Sequence, residues 1–193
     1  MSSPPTKPDG RTLRSERSRQ KIVDAIVSLV AEGILVPTAQ QVAERAQVGT
    51  RTVFRHFNEM DELFTHINMR VKDDYMKVFA GGLRDGPLQV RIVNLVAHFG
   101  MAFEKTSNLH MSTQAQFWRI DSLRNSYKND VAKLRSNLID WLPELKQQPI
   151  AIVDAVAVAV SFESWYRLRM VQELKVAAAR DAMEATLTAL LIR

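Results

Sequence analysis

Three short helical segments crowd into about forty residues near the N-terminus, and a three-residue turn separates the second from the third. This spacing restricts the chain more than any other feature. In the first segment Ile22, Ile26, Leu29 and Val30 recur at offsets of four, seven and eight, and Gly33 is the stop signal. Pro37-Thr38 opens the second, where Thr38 and Gln41 have the spacing of a capping box and Val42, Ala43 and Ala46 form a small apolar face. Gln47-Val48-Gly49 interrupts it, and a third segment runs from Thr50 to Phe57. Asn58 can cap a long fourth helix, with Asp61 at the reciprocal position and Leu63, Phe64, Ile67 and Val71 on its apolar side.

The break at residues 81–87, rich in glycine and closed by proline, ends that helix near Phe79. Helical patterns then cover roughly 88–105, 109–117, 119–142, 150–173 and 176–193, with Pro143 and Pro149 bracketing a loop. No strand pattern competes. The expected class is all-α with about nine helices, organised as a flexible basic tail (1–14), a helix-turn-helix domain (15–60) and a larger helical domain (61–193).

Charge narrows the function. The chain carries +5, and the first 21 residues hold six Lys or Arg against two acidic groups, so nearly the whole excess sits at one end. A basic end on an otherwise balanced chain suits a polyanion, DNA or an acidic membrane surface, or is simply a solvated tail. Membrane anchoring needs an apolar face that this tail lacks. The longest apolar stretch, Ile150 to Phe162, is interrupted by Asp154 and is too short to span a bilayer. With no cysteine there is no disulfide framework, and with no signal-peptide core at the N-terminus the expected location is a reducing cytoplasm.

The third segment can be unrolled at about 100° per residue. Val53 and Phe57 then share one side, and Val48 can join them from the turn. Arg51, Thr52 and Arg55 lie roughly opposite, while Phe54 with Thr50 flanks one edge and His56 the other. One face is apolar and the other is cationic and hydrogen-bonding. An arginine fork matches the O6 and N7 acceptors of guanine, and a threonine can bond a base edge or touch a thymine methyl. An ordinary amphipathic helix with a solvated basic face has the same pattern. The turn, the Thr38 cap and the basic tail together favour double-stranded DNA.

The run Thr38-Ala-Gln-Gln-Val42-Ala43-Glu-Arg-Ala46-Gln-Val48-Gly-Thr-Arg-Thr52-Val-Phe54-Arg55-His56-Phe57 resembles the signature of the tetracycline-repressor (TetR) family, and Arg19 to Gly33 is similar to that family's first helix. The resemblance covers roughly residues 15 to 64. It implies that Thr38 bonds a phosphate, that Thr50, Arg51 and Thr52 face the major groove, and that Phe54 and His56 take the places of the usual tyrosine and phosphate-contacting histidine. Gln47 replaces a common turn glycine, Gly49 a capping serine, and Met60, beside Glu59, a phosphate-binding lysine. Arg14, Arg17 and Arg19 are the basic groups expected to compensate.

The same resemblance implies a C-terminal domain that dimerises and binds a small, apolar effector. His98, Met101, Phe103, Met111, Phe117, Trp118 and Tyr127 are the candidate lining, and for any one of them core is the better reading. His98 and His110 are expected to be hydrogen-bonding residues, and no metal site or cofactor is expected. Ala151, Ala155 and Ala159 are small enough for close helix approach, and Met183, Leu187, Leu190 and Leu191 form a stripe on the last helix. These two helices could build a four-helix bundle between two chains, or a hairpin within one. No catalytic motif is present, so an enzyme is not expected. The implied function is a homodimeric repressor on a palindromic operator, released by its effector. A DNA-binding scaffold answering only to protein partners is the other reading, and a filled core would favour it.

Overall fold

The computed structural model describes residues 10–57 and 60–192, with side chains from Arg14 onward. Tail residues 1–9, the Asn58 cap, Glu59 and Arg193 lie outside the described residues. Nine α-helices make up the described chain: α1 (Gly10–Ala31), α2 (Ala39–Ala46), α3 (Thr50–His56), α4 (Met60–Ala80), α5 (Leu88–Phe117), α6 (Asp121–Trp141), α7 (Ile150–Ala159), α8 (Phe162–Tyr166) and α9 (Val176–Leu191). A 3-10 turn (Pro143–Gln147) joins α6 to α7, and a π-helical turn (Arg167–Val171) extends α8. The fold is all-α, as the apolar period requires.

Two cores divide the molecule. The head core joins α1, α2, α3 and the start of α4 through Ile22, Ile26, Val42, Val53, Phe57 and Leu63, all nearly solvent-free. Burying a side chain of this size contributes roughly 1.5–3 kcal/mol. The body core is aromatic: Phe79, Phe99, Phe103, Trp141, Phe162 and Trp165 interlock among α4 to α8, and α9 closes it with Ala179, Met183 and Leu187. Gly82 (φ +106) marks the tightest approach, since a Cβ there would stand 2.3 Å from the Trp141 ring.

Four expectations shift. α1 begins at Gly10, so residues 10–14 are helical rather than part of a tail. The boundary expected at residue 60 moves into α4, because Leu63, Phe64 and Ile67 belong to the head core and Phe79 to the body. A helix of 21 residues reaches about 30 Å, enough to serve both. The expected pair 88–105 and 109–117 is one helix, α5. Its polar middle, Thr106-Ser107-Asn108, does not break it: the Thr106 hydroxyl is satisfied within the helix at the Ala102 carbonyl (2.8 Å), and Asn108 is drawn away from its own backbone to the Ala31 carbonyl (2.9 Å). The expected helix 150–173 is divided instead. Ser161 caps α8 by accepting from the Ser164 amide (3.2 Å), and Ser164 Oγ donates to the Val158 carbonyl (2.6 Å).

Candidate nucleic-acid interface

The geometry of α3 is set from both ends. Thr38 caps α2 in extended backbone (φ −78, ψ 159), with Gln41 N–H donating to Thr38 Oγ1 at 3.3 Å and Thr38 N–H donating to Gln41 Oε1 at 2.8 Å. Gln47 closes α2 in the left-handed region (φ 55), and the Val48 amide reaches back to the Ala43 carbonyl at 3.0 Å. Arg45 holds α2 to α1 by a two-pronged bond to Glu32, 2.7 Å at each oxygen, and that hydrogen bonding keeps the Glu32 carboxyl below its ordinary range. Gly49 then starts α3 in extended backbone.

Burial sorts the α3 side chains as the helical wheel does. Val53 and the following Phe57 are buried in the head core. Thr50, Arg51, Phe54 and Arg55 are exposed, while Thr52 and His56 are half-buried. Among the described residues neither Arg51 nor Arg55 is in an ion pair. The exposed face therefore presents two guanidinium forks and two hydroxyls beside the half-exposed Phe54 ring. Arg14, Ser15 and Ser18 of α1 meet Arg55 and His56 in a polar cleft of about 340 Å³. Burial lowers the His56 proton affinity, and the Arg55 and Arg19 charges lower it further. A phosphate seated in that cleft would oppose both charges. Arg17 is exposed on α1. Arg19 turns inward: its guanidinium lies 5.1 Å over the Phe57 ring and 3.4 Å from His66 Nδ1, so it braces the head.

The seven candidate ligand residues do not converge. Phe103 is fully buried in the body core, and Met111 packs against that core. Met101 and Trp118 are largely exposed. Phe117 packs on the head core and stacks with Tyr127, whose hydroxyl donates to Glu163. His98 sits against Trp141 at 5.5 Å, and burial lowers its proton affinity. The aromatic pattern thus marks core and surface rather than one pocket. A cleft of about 580 Å³ opens elsewhere, between α1, α4 and α5, lined by Val27, Val30, Ile67, Asn68, Val71 and Gln116 among others. Sequence reasoning missed it. Its one signal was Val27, an apolar residue lying off the buried stripe of α1.

The dimer candidates differ in burial. Met183 and Leu187 are buried within the chain's own core, and Leu190 and Leu191 pack against it. A stripe at offsets of four, seven and eight looks the same whether it faces its own chain or a second one. Ala151, Ala155 and Ala159 line an open groove of about 710 Å³ between α7 and α9, with Val158 beside them, and Met183 and Leu190 also reach its wall. No helix among the described residues is long and apolar enough to cross a membrane, and no cluster of metal-ligating side chains occurs among them.

A helix-turn-helix head with a cationic outer face is set on a larger helical body. No family model matches the sequence, and no curated protein matches it. Solved structures do. A transcriptional regulator from Rhodococcus sp. Rha1 superposes with a TM-score of 0.66 at 16% identity, over 92% of this chain and 95% of that one. The multidrug binding protein EbrR, complexed with imidazole, gives 0.66 at 17% identity, over 92% and 93%. A TetR-like transcriptional regulator from Rhodococcus sp. RHA1 gives 0.57 at 16% identity, over 97% and 100%. The chain has the fold of the TetR-type transcriptional regulators.

Proposed function

We propose that the protein is a sequence-specific, DNA-binding transcriptional regulator, a repressor that acts as a homodimer on a palindromic operator and lets go when a small molecule binds. The observation that carries this reading is the division of α3: Val53 anchored in the head core, with Arg51, Thr52 and Arg55 outward and the polar Arg14–Arg55–His56 cleft alongside. Base contacts set specificity and phosphate contacts set register. α3 supplies the first, and Thr38 with the cleft the second.

Homodimer formation is supported by the small-residue groove between α7 and α9, which leaves Ile150 (68% exposed) and Val158 (65%) uncovered. Pairing two such faces would form a four-helix bundle, and dimeric helix-turn-helix proteins set their heads about 34–36 Å apart, one turn of DNA. Ligand control is supported by the cleft of about 580 Å³. A chain regulated only by protein partners has no need of that space. The ligand must bind the non-DNA-binding state more tightly, and the coupling is reciprocal.

Site selection from random duplex DNA tests the reading. Selection should enrich a palindrome, and Arg51→Ala should lose about tenfold or more at one base position of each half-site. Binding that is weak, sequence-blind and steeply salt-dependent would reduce the basic face to general electrostatics and overturn the proposal.

A further inference from the structure

The cleft between α1, α4 and α5 has an unusual position. Its α1 wall, Ile26 and Val30, belongs to the head core, and α5, which forms the opposite wall, carries Phe99 and Phe103 of the body core in its preceding turns. Two side-chain hydrogen bonds staple those walls together at its edge: Asn108 to the Ala31 carbonyl (2.9 Å) and Ser112 to the Leu35 carbonyl (2.6 Å). A molecule lodged there sits at the joint of head and body, outside the aromatic body core.

The polar inventory of the cleft indicates what it would hold. Asn68 is committed to Ser126 Oγ (2.8 Å), Thr106 to the Ala102 carbonyl, and Asn108 and Ser112 to α1 and its following turn. Gln116 differs. It is 2% exposed, its Nε2 donates to the Ser112 carbonyl (3.1 Å), and its Oε1 is buried with no partner among the described residues. A buried acceptor left unmet in an apolar setting is costly, and a donor arriving with a ligand would meet it. Asp74 is paired with Lys77 and Glu104 with Arg169, and Lys105, Ser107 and Thr113 also line the cleft. The rest of the wall is aliphatic or aromatic, Ile26, Val30, Phe64, Ile67 and Leu123 among it. The volume lies within the range of sites that enclose drug-sized molecules, about 300–1,000 Å³.

We propose that this cleft is the effector site, that it takes an apolar molecule carrying one N–H or O–H donor directed at Gln116 Oε1, and that occupancy pries α1 from α5. The occupied state loses the Asn108 and Ser112 staples, so the head tilts on the body and the two reading heads leave operator register. The coupling to DNA rests on the function proposed above. Occupancy of the cleft does not.

N-phenyl-1-naphthylamine is a suitable probe, because it is apolar, has one N–H and fluoresces on leaving water. Its isostere 1-phenoxynaphthalene lacks the donor and serves as a competitor. Titrated into the full chain without DNA, the amine should saturate at one site per chain. Val27→Trp fills the cleft from a partly exposed position, so the extra ring retains a route to solvent, and it should weaken binding at least about tenfold. Ala31→Leu is the milder filler should the tryptophan fail to fold, as judged by melting. Gln116→Leu should weaken the amine about tenfold and leave displacement by the phenoxy compound unchanged. Absent saturation, or saturation untouched by either filler, overturns the site. Equal losses for both compounds in Gln116→Leu overturn the donor requirement. With a selected operator in hand, the amine should release wild-type protein and spare Val27→Trp. Cleft-dependent binding that leaves operator affinity unchanged overturns the coupling alone. If no DNA sequence is selected, the regulator reading fails by itself and the titration still decides the cleft.

Discussion

His110 shows how one side chain joins structure to solution behaviour. It is 5% exposed, stacked on Phe162 at 4.1 Å between ring centroids, with its Nε2 3.1 Å from the Tyr75 hydroxyl. Burial pushes its pKa down to about 3, and burial also raises that of Tyr75. The unfolded chain binds a proton at His110 below about pH 6.5, while the folded chain does not until about pH 3. The unfolded state therefore takes up more protons as the pH falls through that window, and stability drops by up to about 1.4 kcal/mol per pH unit from this group. Urea unfolding between pH 7 and pH 4 should show that slope, and His110→Gln should flatten it while lowering stability at pH 7. An unchanged slope in the variant would place the acid sensitivity elsewhere. Gln47 makes the complementary point about the backbone. It occupies a left-handed position that glycine fills more cheaply, so the α2–α3 turn survives by its hydrogen bonds.

At the scale of elements, α4 is tied to α6 and to the turn before it by a polar ladder with about one rung per helical turn. Asp61 meets Arg119 (2.8 Å), Thr65 meets Ser122 (2.7 Å), Asn68 meets Ser126 (2.8 Å) and Lys72 meets Asp130 (2.8 Å). The ladder is legible only in part from sequence. Residues 61, 65, 68 and 72 share one face of α4, as helical geometry requires, but nothing local pairs that face with 119–130. Of the two ion-paired rungs Lys72–Asp130 is the less exposed, with side chains 23% and 13% accessible. Lys72→Met leaves Asp130 largely buried without its cation, and should cost about 1.5–3 kcal/mol. Adding Asp130→Leu should recover most of that loss, because an apolar pair can replace a shielded ion pair. Thermal melts of the two single variants and the double variant give the coupling directly. Additive losses would mean that the rung contributes nothing as a pair.

For the whole molecule, the groove between α7 and α9 carries the prediction. Val158 lies at its rim, 65% exposed, so a charge there costs the isolated chain little. Val158→Asp should fold with unchanged helical content and sediment as a monomer at concentrations where the wild type is dimeric. It should lose affinity for a two-half-site palindrome far more than for a single half-site. Dimeric sedimentation in the variant would move the interface to another face. Met183→Ala tests the opposite assignment. That side chain is buried in the chain's own core, so the change should lower melting by an amount typical of a core truncation, about 2–5 kcal/mol, without separating chains.

The sequence alone determined the all-helical class, the head motif and the cationic face of α3, because those depend on residues one to eight positions apart. A capping pair such as Thr38 and Gln41, or a stripe such as Ile22, Ile26 and Leu29, states its geometry within two turns. The tertiary structure decided which stripes meet their own chain and which stay open. The offsets of Met183 and Leu187 fit either choice, and only packing against α5 and α7 buries them. It also decided that α5 runs unbroken through Thr106-Ser107-Asn108, since the carbonyl that receives Asn108 lies 77 residues away on α1. The cleft belongs wholly to that scale. Val27, Asn68 and Gln116 share no period and no motif, and they become one surface because a bridging helix holds a small head core against a larger body core.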